Sequence, residues 1–108
     1  MGDVKFMRMI CFFDIPVMTA EQRKIASRFR KHLLNNGYQM MQFSVYSKIV
    51  RNDCNVDTNI RYLKNSMLRE GNVRVLTVTE KQYADIEIII GTIKPQEKKV
   101  KSEQLSFW

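Results

Sequence analysis

The apolar pattern begins with a nearly unbroken run at residues 5–13, KFMRMICFF, closed by Asp14-Ile15-Pro16. The run is rich in strand formers, and proline cannot extend a central strand, so a first strand is predicted to end there. Thr19 is placed to cap a helix, and Gln22 three residues on completes a capping box. Ile25, Ala26, Phe29 and Leu33 then fall on one stripe at helical spacing, and Gly37 supplies the left-handed stop. Residues 38–50 (YQMMQFSVYSKIV) are strand-like throughout. They fit either one long strand or two short ones with a sharp bend near Gln42-Phe43-Ser44. A second helix is predicted over 54–69, with Val56, Ile60, Leu63 and Met67 on one face and Gly71 as its stop. Residues 72–79 (NVRVLTVT) alternate as a strand, a polar turn (EKQYAD) follows, and Ile86–Ile90 read as the last strand.

Splitting residues 38–50 gives the order βαββαβ, the ferredoxin-like α+β arrangement in which two helices cover one face of an antiparallel sheet. The other face is then expected to be covered by a partner. Residues 1–91 read as this domain. Residues 92–108 read as a charged linker (QEKKVKSE) and an apolar tail, Leu105-Ser106-Phe107-Trp108, with an extra C-terminal strand as its alternative. A chain of 108 residues supports a single core but not a core plus a roofed active site. A dimer would hide further apolar surface.

Charge changes the picture. Eighteen Lys and Arg oppose eleven Asp and Glu, for a formal net charge of +7 and an isoelectric point near 9.7. Such an excess on a small surface favours polyanions, nucleic acid first and an anionic membrane surface second. No run approaches the ~20 apolar residues of a membrane span, and the N-terminus lacks signal-peptide character, so a cytoplasmic location is expected. Cys11 and Cys54 match no metal-ligand spacing, and Cys11, within an apolar run, reads as a buried thiol.

Few residues offer catalytic chemistry. Asp14 is a lone carboxylate at the end of an apolar strand and supports two readings. It is either a cap for the turn at Pro16 or a ligand for Mg²⁺, completed by a second Asp14 across a two-fold axis. His32, the sole histidine, flanks the apolar stripe of the first helix and reads as structural or solvent-facing. The basic residues of that helix are better organised. Lys24, Arg28, Lys31 and Asn35 lie at i, i+4, i+7 and i+11, away from the core stripe, with Arg23 and Arg30 along one edge. Almost no acid accompanies them after Glu21, which points to phosphate contact without base readout. Ser44, Tyr46 and Lys48 share one strand face, where they are placed to meet phosphates or a symmetry mate.

With these segments in hand, the chain resembles the CRISPR-associated protein 2 family. The resemblance rests on the first strand running into Phe13-Asp14-Ile15-Pro16, and on Gln42-Phe43-Ser44-Val45-Tyr46-Ser47-Lys48, similar to the family's Gln-x-Ser-Val-aromatic strand. The stretch Val75-Leu76-Thr77-Val78-Thr79-Glu80-Lys81-Gln82 is similar to the type II branch, and the likeness covers roughly residues 6–91. It implies a symmetric homodimer of ferredoxin-like folds that bridges the CRISPR-associated protein 1 integrase and holds double-stranded DNA during spacer acquisition. It also implies Asp14 as the Mg²⁺ ligand at the dimer interface, with metal-dependent endonuclease activity in some members and a purely architectural role in others. The family's C-terminal segment often adds a strand to the partner subunit's sheet, which makes Leu105, Phe107 and Trp108 the candidates for that contact. A ferredoxin-like RNA-binding module is disfavoured, because the paired sheet aromatics that stack bases are not evident.

Overall fold

The structure, a computed structural model, describes residues 6–66 and 68–91. In chain order they form β1 (Phe6–Asp14), α1 (Ala20–Asn35), β2 (Gln39–Gln42), β3 (Val45–Arg51), α2 (Asn52–Lys64), β4 (Asn72–Thr79) and α3 (Glu80–Ala84). The sheet order is β2-β3-β1-β4, and every neighbouring pair is antiparallel. β2 is therefore separated from β1 by β3, the split arrangement expected of a ferredoxin-like fold. The most apolar strand, β1, takes a central place, where both of its edges are hydrogen-bonded.

Strand residues alternate between faces, and the register divides β1 into two sets. Met9, Cys11 and Phe13 face the helices, while Arg8, Ile10, Phe12 and Asp14 face the other way. The core gathers Cys11, Phe13 and Tyr46 from the sheet with Phe29 and Leu33 from α1, closed by Tyr38. Phe13 meets Phe29 edge-on, with ring centroids 5.1 Å apart at 81°. Such a pair contributes about 0.5–1.5 kcal/mol beyond the area it buries.

The start and end of α1 follow the sequence closely. Thr19 Oγ1 accepts from the Gln22 amide at 3.0 Å, and Gln22 Oε1 accepts in return from the Thr19 amide at 3.0 Å. At the other end Gly37 has φ +90°, and the amides of Gly37 and Tyr38 donate to the carbonyls of Leu34 and Leu33. This is a Schellman closure, which turns the chain directly into β2. The open alternative at residues 38–50 resolves as two strands. Phe43 and Ser44 form the turn between them, with Ser44 in the left-handed region at φ 66°.

Three expectations are corrected. The second helix covers Asn52–Lys64 rather than 54–69, and its C-cap is Asn65. Gly71 is therefore not its stop. Gly71 has φ +99° and lies so close to the end of β1 that an added Cβ would stand 2.5 Å from the Asp14 carbonyl oxygen. The segment after β4 is α3 rather than a turn, because Thr79 and Gln82 form a second capping box. Arg8, buried on β1, then fixes α3 in place. Its Nε and one terminal nitrogen donate to the two Glu80 carboxylate oxygens at 2.8 and 3.0 Å, and its guanidinium lies 3.9 Å from the Tyr83 ring centroid. Finally, Ile86–Ile90 is not a strand. β4 is an edge of the sheet and pairs with β1 alone among the described strands, and the apolar run does not extend the ladder on its free side. Ile86, Ile88, Ile89 and Ile90 are left exposed. The expected linker and tail at 92–108, with Leu105, Phe107 and Trp108, lie outside the described residues, as does Met67.

Candidate nucleic-acid interface

Because Ala26, Phe29 and Leu33 turn into the core, the opposite side of α1 is left to water. Lys24, Arg28 and Lys31 are exposed there with Asn35. None of these cations enters an ion pair among the described residues, whose pairs are Arg8 with Glu80 and Lys81 with Asp85. Unpaired charges at this spacing form a row along about two helical turns, well suited to successive phosphates. The other two candidates on α1 stand apart. Arg23 donates to the carbonyls of Val17 and Met18 at 3.1 and 3.2 Å, which commits it to the loop before the helix. Arg30 is half-buried at the edge of the row.

Lys48 does not join this row. It lies on the helix-covered face of β3, where Nζ donates to Asn59 Oδ1 of α2 at 2.8 Å and sits 5.7 Å from the Tyr38 ring centroid. Burial lowers its pKa. The expectation that Ser44, Tyr46 and Lys48 share a surface for phosphates or a symmetry mate is corrected as well. Tyr46 is in the core, Ser44 is in the turn, and Lys48 ties β3 to α2.

Asp14 ends β1 on the face away from the helices, exposed and paired in register with Asn72. No described donor reaches its carboxylate. Among the described residues no cluster of three His, Cys, Asp or Glu side chains is placed to hold a metal ion. At this position one protomer thus offers a single carboxylate, where Mg²⁺ is commonly held by one or two carboxylates together with waters and substrate phosphates. Sequence reasoning missed two features. His32, read as structural or solvent-facing, makes a structural contact that periodicity did not show: its ring packs 5.1 Å from that of Tyr62, and its Nε2 is buried without a hydrogen-bond partner among the described residues. Arg69, beyond the end of α2, faces the same groove as Lys24 and Arg28, a juxtaposition that depends on packing between distant segments.

The family model described as CRISPR associated protein Cas2 matches residues 7–86, spanning every element except the first residue of β1. The chain belongs to the Cas2 family. Among its Cas2 relatives, a protein of Acidovorax ebreus is 43% identical over 102 residues, covering 94% of this chain and all of the relative. One of Treponema denticola is 52% identical over 90 residues, covering 83% of this chain and 89% of the relative. One of Streptococcus mutans is 51% identical over 85 residues, with 79% and 78% covered. All three are named CRISPR-associated endoribonuclease Cas2. Membership places this chain among the components of CRISPR adaptation. No helix among its described residues is long and apolar enough to cross a membrane.

Proposed function

We propose that this Cas2 chain is a homodimeric scaffold that binds double-stranded DNA and works with the CRISPR-associated protein 1 integrase in spacer acquisition. The observation that carries this reading is the exposed row of Lys24, Arg28 and Lys31, which has no acidic partners among the described residues. Contacts of that kind read the backbone and not the bases, so binding is nearly independent of sequence and strongly dependent on salt. Each phosphate contact contributes about 0.9 to the log–log salt slope on duplex DNA. Replacing Lys24, Arg28 and Lys31 together by Ala flattens the slope by roughly two to three units. An unchanged slope places the DNA elsewhere on the molecule.

A second reading is a Mg²⁺-dependent endonuclease, and two observations favour it. The relatives carry the name endoribonuclease, and the Asp14 carboxylate is exposed with no described donor engaging it. Here Asp14 of each of two copies would hold the ion, which when bound supplies charge stabilisation on the phosphate and activates water. The chain's own contribution is to set that carboxylate at the end of a rigid central strand, against which Gly71 closes. Asp14→Asn separates the readings. A nuclease loses cleavage by orders of magnitude, whereas the scaffold keeps its dimer, its DNA binding and integration by the reconstituted complex. The scaffold reading predicts that integration survives.

A further inference from the structure

The loop that follows α2 is held to the rest of the protomer on both sides of Arg69. Leu68 is partly buried and packs against the core cluster, and the Gln22 side-chain amide of α1 donates to Glu70 Oε1 at 3.2 Å. Arg69 lies between these anchors, and its exposed side chain lines a groove of about 760 Å³ between the loop and α1. Lys24 and Arg28 line the same groove from the helix. Glu21 is the one acid among the lining residues, and none of the three cations is ion-paired among the described residues. Like charges gathered without partners repel one another, and a bound anion relieves that repulsion.

We propose that Arg69 is a further phosphate-contacting residue of the nucleic-acid face, which makes that face a two-sided cleft rather than a row on one helix. The proposal rests on the reading of Lys24, Arg28 and Lys31 as the duplex-binding row. Continuity with that row favours a backbone phosphate over other anions. Lys24 and Arg28 belong both to the row and to the groove, so a backbone that follows the row carries its phosphates past Arg69. A guanidinium suits this position, because its planar fork donates two parallel hydrogen bonds to a phosphate. The anchors on either side of Arg69 present it with little backbone left to order on binding.

The salt dependence of duplex binding by the full-length protein tests this. Arg69→Gln lowers the log–log slope by about 0.9, the share of one phosphate contact, and leaves the urea midpoint unchanged. Arg69→Lys keeps the slope, because the charge is kept. Lys81→Gln controls for net charge and leaves the slope unchanged, since Lys81 lies on α3 and pairs with Asp85 at 3.6 Å. An unchanged slope in Arg69→Gln, beside a flattened one when Lys24, Arg28 and Lys31 are all Ala, overturns the proposal and leaves the α1 row standing. Unchanged slopes in both overturn both readings. An equal drop in Lys81→Gln also overturns the proposal, because net charge alone then accounts for the effect. So does binding of inorganic phosphate that Arg69→Gln abolishes without altering the duplex slope, which makes the groove a site for a free anion. The same holds for an acidic peptide whose binding depends on Arg69 when duplex binding does not, which makes the groove a protein-docking site.

Discussion

On one face of the sheet, Cys11 and Phe13 of β1 are sealed beneath Phe29 and Leu33. On the other face, Phe12 of the same strand is 40% exposed, and Ile49 on β3 and Leu76 on β4, which share that face, are 50% and 53% exposed. The helix-covered face is completed by the chain itself: two helices, an aromatic pair and the Lys48–Asn59 link close it. The opposite face is finished only in part, by α3 gripping Arg8 at one end, while Asp14 lies open at the other. Scattered exposed apolar side chains are ordinary, but an apolar group on one sheet face, beside an unpaired edge strand and the exposed Ile86–Ile90 run, is a surface for association. The protomer folds around one face, and the homodimer proposed above would form through the other.

The largest effect belongs to the sealed face. Leu33 is fully buried, and Leu33→Ala lowers unfolding free energy by about 2–5 kcal/mol through lost contacts and the cavity left behind. Urea unfolding measures it, and a loss below about 1 kcal/mol would mean that the helix side is not the core. A smaller effect tests the same face through pH. Burial pushes the Cys11 thiol up from 9.0 to about 11, and burial, then the nearby Cys11, pushes the Tyr38 hydroxyl up from 10.0 to about 12. Above pH 9 the unfolded chain gives up the Cys11 proton while the folded chain keeps it, so the folded state binds more protons and stability falls as pH rises. The stability present below pH 9 declines by on the order of 2–3 kcal/mol towards pH 11. Urea midpoints taken at both ends of that window check this, and Cys11→Ala should flatten the decline. A midpoint that does not fall would show the thiol to be solvated.

What the sequence made legible was local. The Thr19–Gln22 box, the Gly37 stop and the alternation of 72–79 each act through neighbours within a few residues, and each appears where the pattern placed it. What it hid depends on distant partners. Gly71 looked like a helix stop because its constraint, the Asp14 carbonyl, lies far away in sequence. Glu80–Ala84 looked like a turn because the Arg8 fork that secures the helix is on the first strand. Ile86–Ile90 has the composition of a strand, yet it pairs with no described strand although the outer edge of β4 is free. In the candidate interface, the spacing of Lys24, Arg28 and Lys31 was readable from helical periodicity alone. Lys48 was not, since its strand face could be assigned only once α2 was seen to cover it.

The claim that the exposed sheet face joins two copies is tested most directly by sedimentation velocity on the wild type and on Leu76→Glu. Leu76 is half exposed opposite Ile10 on β1, so the substitution is tolerated by the protomer fold while placing like charges across a two-fold interface. The account predicts a dimer for the wild type at micromolar concentration and a folded monomer for Leu76→Glu. A wild-type monomer, or a variant that remains as dimeric as the wild type, would contradict it.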